Sequence, residues 1–301
     1  MRLVDQLVSV ALPITPRPLV RYFSRPYIAG TRTEDAFDVV RSLERQGVMS
    51  TLDILGEFVT SAEEARANAD AYAELLRRIA TERLAETHVS VKLTALGLSI
   101  DADRCLESMR LLLRLAEETD NFVRIDMEDS PQTEKTLDVY RTLRLEFPRR
   151  VGTVLQSRLR RTLDDIDDLS RQPANIRICK GIYLEPREIA YTDFGGIQRN
   201  FTKALEHLLE RGAYVGIATH DEKLISDALG LITRFGLSRE QYEFQMLLGV
   251  HERMRGQLVA AGHRMRVYVP FGEKWYQYSL RRLRENPQIA GHVLRAMFRR
   301  A

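Results

Sequence analysis

Short runs of β-branched and other apolar residues recur along the chain. Each is followed by a longer, more polar stretch with apolar residues at three- and four-residue spacing. The short runs predict strands over Val48–Ile54, Val89–Leu93, Phe122–Met127, Val151–Leu155, Ile176–Lys180, Tyr214–Ala218, Tyr242–Leu247 and Met265–Val269. Between them the longer spacing predicts amphipathic helices. One covers Ala62–Glu86, behind the capping pattern Ser61-x-x-Glu64. A second covers Arg104–Glu118, with Leu106, Met109, Leu111, Leu112, Leu113 and Leu115 around a broad apolar face. Two more, Gln198–Arg211 and Glu222–Phe235, run into Gly212 and Gly236, which suit left-handed helix stops. Ahead of the first strand, Glu34–Gln46 reads as a helix between Thr31-x-x-Glu34 and Gly47. Behind the last, Pro287–Arg300 reads as a final helix.

Strands alternating with helices imply βαβ units and a parallel sheet. Eight such units close naturally, so the expected class is α/β, a (β/α)8 TIM-like barrel with N-terminal helices and a C-terminal helix over the rim. The expected division is a helical segment at 1–46 and a barrel at 47–301. An open doubly wound sheet is the alternative, but the chain lacks the G-x-G-x-x-G turn after its first strand.

Composition narrows the function classes. At 301 residues, 44% hydrophobic and 29% charged, the chain is an ordinary globular one rather than a disordered or fibrous one. A formal charge of +3, evenly spread, argues against nucleic acid as a partner. Two cysteines, Cys105 and Cys179, make no disulfide framework and have no ligand-like neighbours. A reducing, cytoplasmic setting and no metal are expected. The N-terminal apolar stretch is interrupted by Asp5, Gln6 and Ser9, which speaks against a signal peptide.

Barrel enzymes carry their chemistry at the C-terminal ends of the strands. Nearly every predicted strand places a polar residue there: Asp53, Lys92, Asp126, Gln156, Arg177 with Lys180, Thr219-His220, Gln245 and Tyr268. One buried charge in an apolar run reads as a structural ion pair. A whole rim of them points to a reaction centre. After the last strand, Tyr278, Arg281 and Arg282 fall on one helical face, where paired guanidinium forks suit a carboxylate and Glu285 offers a plain surface partner. Other chemistries stay open. Asp126 and Glu128 alternate onto one strand face, as a hydrolase acid/base pair requires. Lys92 suits Schiff-base chemistry. Ala218-Thr219-His220-Asp221 contains a His beside an Asp but no Ser or Cys elbow completes a triad. A non-catalytic binding barrel is the third reading.

Several local runs, taken in order, resemble one family. They are Ser50-Thr-Leu-Asp53-Ile-Leu-Gly-Glu57, Ser90-Val-Lys92-Leu-Thr94-Ala-Leu-Gly97, Arg124-Ile-Asp126-Met-Glu128, Val154-Leu-Gln156 and Arg177-Ile-Cys-Lys180-Gly181-Ile-Tyr183. Ala218-Thr219-His220, Glu243-Phe-Gln245-Met-Leu247-Leu-Gly249, Val267-Tyr268-Val-Pro270-Phe-Gly272 and Tyr278-x-x-Arg281-Arg282-x-x-x-Asn286 follow. Together, from about Ala29 to the C-terminus, they resemble proline dehydrogenase in its monofunctional bacterial form. The resemblance implies oxidation of L-proline to Δ1-pyrroline-5-carboxylate, the first step of proline degradation to glutamate. It implies non-covalent FAD held by Gln156, Arg177, Lys180, Gly181, Ile182, Thr219, His220 and the backbone at Met127. Lys92, Arg281 and Arg282 would grip the proline carboxylate, with Glu57 near the arginines. Tyr268, Tyr278 and Leu247 would enclose the ring. Asp126 would hold Lys92 or its neighbours, and Arg177 would stabilise charge on the reduced flavin. A membrane quinone is the implied electron acceptor and a pyrroline-5-carboxylate dehydrogenase a candidate partner. The basic tail, with Arg295, Arg299 and Arg300, is a candidate contact with the inner membrane face. The chain departs from the family pattern at Ser157-Arg158, at Asp221 where Asn is usual, and at Ile182, which replaces a smaller residue. The Tyr268–Tyr278 interval is also shorter than in the larger bifunctional relatives.

Overall fold

The computed structural model describes residues 17–276 and 278–280. Eight parallel strands close into one barrel in sequence order, β1 pairing with both β2 and β8. They are β1 Met49–Ile54, β2 Thr87–Lys92, β3 Val123–Asp126, β4 Val151–Gln156, β5 Asn175–Cys179, β6 Tyr214–Ala218, β7 Tyr242–Leu247 and β8 Met265–Phe271. The helices are α1 Arg17–Ser24, α2 Thr33–Glu44, α3 Ala62–Thr81, α4 Ala102–Glu118, α5 Ser130–Glu146, α6 Thr162–Leu169, α7 Phe194–Glu210, α8 Glu222–Phe235 and α9 Glu252–Ala260. The barrel expected from the alternating pattern is therefore present. The sequence-predicted tail helix, Pro287–Arg300, lies outside the described residues.

A single apolar core joins the outward faces of the strands to the helices. Val123, Ile125, Ile176 and Ile178 share it with Leu76 of α3, Leu112 of α4, Leu137 of α5 and Phe201 of α7. The helix preceding the barrel joins the same core through Phe37 and Val40. It is tied to the barrel end by Ala29 N donating to the Pro270 carbonyl and Gly272 N to that of Gly30, both at 3.0 Å.

Several expected boundaries shift, each for a local reason. α3 stops at Thr81, not Glu86, because Arg83 takes a left-handed φ of 56° and Leu84 N turns back to the Ile79 carbonyl at 3.0 Å. The Glu86 carbonyl is used instead by Ser50 N of β1, at 3.1 Å. Ser61 does accept from Glu64 N, but the Glu64 carboxylate takes Thr60 N rather than closing the box on Ser61. The cap of α2 is carried by Asp35, whose carboxylate accepts from Thr31 N and Arg32 N, not by the Thr31–Glu34 pair. Leu111 lies on the solvent side of α4, 46% exposed, so the apolar face is narrower than predicted. α7 begins at Phe194 because the Asp193 side chain caps Gly196 N at 2.6 Å. Lys180 stands just beyond β5 rather than in it. α8 matches its predicted bounds, with Gly236 left-handed at φ 60°.

Candidate active site

The inside of the barrel differs from its outside. Asp126 on β3 and Arg177 on β5 meet at 2.7 Å, and Arg177 reaches Gln245 on β7 at 2.5 Å. These strands are not neighbours, so the bonds span the barrel interior. Asp126 is the hub. Its Oδ1 accepts from Ser90 Oγ at 2.6 Å and from Arg177 Nη1, and its Oδ2 accepts from Tyr268 OH at 2.7 Å. Lys92 Nζ lies 2.8 Å from Asp53 Oδ1, 3.3 Å from Tyr268 OH, 3.7 Å from Asp126 Oδ2 and 4.0 Å from Glu57 Oε1. Lys92 is therefore held first by Asp53, with Asp126 the more distant partner. The resemblance gave Asp126 the task of holding Lys92 or its neighbours, and here it bonds Tyr268 and Arg177 directly. Glu57 is found beside Lys92. The arginines it was expected to approach, Arg281 and Arg282, lie outside the described residues, as do Glu285 and Asn286.

These groups are buried, so their protonation follows from their neighbours. Burial works to raise the Asp126 carboxyl, but the Arg177 and Lys92 charges, with bonds from Ser90 and Tyr268, hold it below its ordinary value. Burial raises Asp53 despite the Lys92 charge. Burial disfavours the Lys92 ammonium, yet the field of Asp53, Tyr268, Asp126 and Glu57 lifts its pKa well above that of ordinary lysine. Burial, then Asp126 and Asp53, lift the Tyr268 phenol well above 10.0. At neutral pH Lys92 is thus a fixed cation and Tyr268 a neutral hydroxyl. A Schiff-base role needs the free amine, so this arrangement counts against the lyase reading.

The hydrolase pairing fares no better. Asp126 faces the cleft described below, whereas Glu128 is not among its lining residues. Its carboxylate is buried and accepts from Thr94 N at 3.0 Å and from Thr94 Oγ1. The strand ends at Asp126, so the alternation that put both carboxylates on one face does not continue. Burial pushes the thiols up to about 12 at Cys105 and about 11 at Cys179. Neither is a thiolate nucleophile. Among the described residues no cluster of His, Cys, Asp or Glu is arranged to hold a metal ion.

Above this network opens a cleft of about 650 Å³. Lys92, Asp126, Met127, Gln156, Arg177, Lys180, Gly181, Ile182, Thr219, His220, Leu247, Tyr268 and Tyr278 all line it. These are the sequence-predicted site residues, apart from those outside the described range. The local fold explains several placements. Gly181 has φ +88°, and a Cβ there would stand 2.5 Å from Gln156 Oε1. Gln156 Nε2 donates to the Glu128 carbonyl at 2.7 Å, while its Oε1 is buried without a partner among the described residues. His220 Nε2 accepts from Leu247 N at 2.8 Å, linking β7 to the loop after β6. Lys180 Nζ pairs with Asp221 Oδ2 at 3.1 Å and lies 4.9 Å from the Phe194 ring centre. The Asp221 departure thus gives the lysine a carboxylate partner.

Sequence reading missed Val154, Tyr183, Phe194, Ala218 and Met246 as lining residues. Val154, Tyr183, Ala218 and Met246 stand inside runs quoted above and were passed over as apolar. Phe194 opens a helix and carried no signal beyond its aromatic character.

The fold and site define a closed barrel with a polar-lined cleft at the C-terminal ends of its strands. The family model described as "Proline dehydrogenase" matches residues 36–295. "Proline dehydrogenase 2" of Bacillus subtilis is 39% identical over 270 residues, covering 90% of this chain and 88% of that protein. "Proline dehydrogenase" of Deinococcus radiodurans is 36% identical over 310 residues, covering 99% of this chain and 100% of that protein. Among solved structures, proline utilization A (PutA) from Bdellovibrio bacteriovorus, inactivated by N-propargylglycine, superposes with a TM-score of 0.83 at 26% identity. That match covers 88% of this chain but only 32% of the longer PutA chain. The chain belongs to the proline dehydrogenase family.

Proposed function

We propose that this oxidoreductase converts L-proline to Δ1-pyrroline-5-carboxylate, using non-covalent FAD in the rim cleft and passing the electrons to a quinone. The observation that carries the reading is the cleft wall at Gln156 and Gly181. Gln156 Oε1 is a buried acceptor with no partner among the described residues, and an imide N–H such as a flavin offers would satisfy it. Gly181, in a backbone conformation that side chains rarely adopt, keeps that acceptor uncovered. Lys180, at the same wall, suits the anionic part of a dinucleotide. The residues present therefore fit the group.

FAD supplies the two-electron acceptor when bound; the protein supplies position and charge. Met127, Arg177, Ile182, Thr219 and His220 line the same cleft and complete its holding residues. Lys92, fixed as a cation by Asp53, binds the proline carboxylate. Arg281 and Arg282, outside the described residues, join it by resemblance. Tyr268, Tyr278 and Leu247 close on the pyrrolidine ring and exclude water. Asp126 keeps Tyr268, Arg177 and Lys92 in register, so that binding fixes orientation before reaction. Arg177 would offer positive charge to a flavin held in the cleft and so favour its reduced form. A pyrroline-5-carboxylate dehydrogenase is the proposed consumer of the product.

No described helix is long and apolar enough to cross a membrane. The proposed contact of the basic tail with a membrane surface falls outside the described residues.

The test is an anaerobic absorbance spectrum of the purified protein before and after L-proline. Flavin bands that bleach with L-proline are expected. A flavin that stays oxidised removes the substrate, and a colourless protein that takes up no added FAD removes the cofactor.

A further inference from the structure

Arg177 is fixed on two edges of its guanidinium, by Asp126 on β3 at Nη1 and by Gln245 on β7 at Nε. The second bond skips a strand, because β6 lies between β5 and β7. The residue it passes is Gly216, which is in register with both Arg177 and Glu243. A Cβ on Gly216 would stand 2.5 Å from Gln245 Nε2 and 3.0 Å from its Cδ. The bare backbone of β6 is what lets the Gln245 amide reach across to Arg177.

An amide has two unlike ends, and here each has only one admissible partner. Arg177 can only donate, so it requires Oε1. Glu243, when ionised, can only accept, and its Oε1 receives Gln245 Nε2 at 2.5 Å. Glu243 is itself fixed by Arg266 Nε at 2.8 Å on Oε1 and by Tyr214 OH at 2.9 Å on Oε2. Turning the amide over would set donor against donor and acceptor against acceptor, losing both bonds in a buried site. Glu243 remains ionised because Arg266, with its bond, outweighs burial and draws the carboxyl down to about 2.

We propose that Glu243 and Gln245 are positioning residues for the oxidation of proline. Glu243 sets the orientation of the Gln245 amide, and the amide sets the plane of the Arg177 guanidinium in the cleft. Gln245 lines the cleft and Glu243 does not, and the role assigned to both is to act through Arg177. The inference rests on the role given above to Arg177 at the flavin.

Two full-length variants test it: Gln245→Met, which keeps length and removes both bonds, and Gln245→Glu. Single-turnover flavin reduction by proline should slow at least about tenfold in Gln245→Met, with proline affinity unchanged. The flavin midpoint potential should move negative. In protein without cofactor, the Arg177 Nε–H should lose its protection from solvent exchange, read by 15N NMR. Gln245→Glu should work near the wild-type rate at low pH, where its shared proton mimics the amide. It should fall behind wild type as pH rises and the two carboxylates repel. This profile keeps the proposal testable should Gln245→Met not fold.

An unchanged reduction rate and potential in a folded Gln245→Met overturn the proposal. So does a wild-type-like pH profile in Gln245→Glu. If wild type itself takes up no flavin, or is not bleached by proline, the functional reading fails instead, while the NMR result still reports on the Arg177 support.

Discussion

Outside the barrel, Val123 and Ile125 of β3 and Ile176 and Ile178 of β5 belong to one apolar core with the helices. One step along the same strands stand Arg124, Asp126 and Arg177, turned inward and also buried. The two sides of one sheet therefore follow different rules. On the outer side any apolar group of suitable volume contributes, because burial is roughly proportional to area and indifferent to direction. On the inner side each group has a named partner, since a buried charge without one is costly. The usual filling of such a barrel is layered branched apolar residues. Here the layers from Arg266 and Glu243 up to Asp126, Lys92 and Tyr268 are polar and mutually bonded. The outer side specifies the barrel, and the inner side gives up cheap apolar packing to hold a set of charges in fixed positions.

Removing the inner hub should have the largest effect. Asp126→Ala leaves Arg177, Lys92, Tyr268 and Ser90 without their shared acceptor. Breaking a buried pair in this way costs roughly 3–5 kcal/mol. Denaturant unfolding should register that loss, and proline-driven flavin reduction should fall by at least about 100-fold. A variant with near-normal rate would mean that the inner network is structural alone.

The outer counterpart is Leu112→Ala, at a fully buried position of α4. It should lower stability by about 2–5 kcal/mol. Well below its melting temperature the kinetic constants should stay those of wild type. Equal damage to stability and rate would erase the distinction between the two sides.

This contrast also explains what could be read from the sequence. The outer side repeats with the period of its elements, so eight strands and their alternation with helices were visible. β6 and β7 have their expected bounds. Boundaries failed where one residue decided them, as at left-handed Arg83 or the Asp193 cap, which no period encodes. Inner residues were visible as polar interruptions of apolar runs, which found Asp126, Arg177 and Gln245. Their pairing was not, because it depends on which strands face each other across the barrel. Asp53 as the anchor of Lys92, and Gly216 as the opening for Gln245, could emerge only once the strands were in register.

Acid should separate two inner-facing or rim carboxylates by sign. Glu243 has its folded value drawn to about 2 from an ordinary 4.5, with Arg266 outweighing burial. Its stabilisation is fully present above pH 4.5 and is lost as pH falls toward 2. The amount is roughly 3 kcal/mol. Burial instead raises Glu128 to about 7, so its contribution is present below 4.5 and is lost as pH rises through 7. Stability measured against pH should therefore be less acid-sensitive in Glu243→Gln. In Glu128→Gln it should decline less between pH 5 and 8. The same slope in both variants as in wild type would contradict the assignment.

The smallest expected effect lies where the inner network meets the cleft. Gly181→Ala places a Cβ 2.5 Å from Gln156 Oε1, on a backbone at φ +88°. The strained backbone costs about 1–2 kcal/mol. The colliding atom is the end of a side chain, so it can swing aside, and the fold should survive. The amide is nonetheless held at its other end by Nε2 on the Glu128 carbonyl. Any swing must therefore loosen that bond or turn Oε1 from its position on the cleft wall. FAD affinity, measured by fluorescence quenching on adding FAD to protein freed of cofactor, should weaken about tenfold, near 1.4 kcal/mol. Bound flavin should still be bleached by proline, because Asp126, Arg177 and Lys92 are untouched. A Gly181→Ala protein that binds FAD as tightly as wild type would show that the Gln156 acceptor does not serve the cofactor.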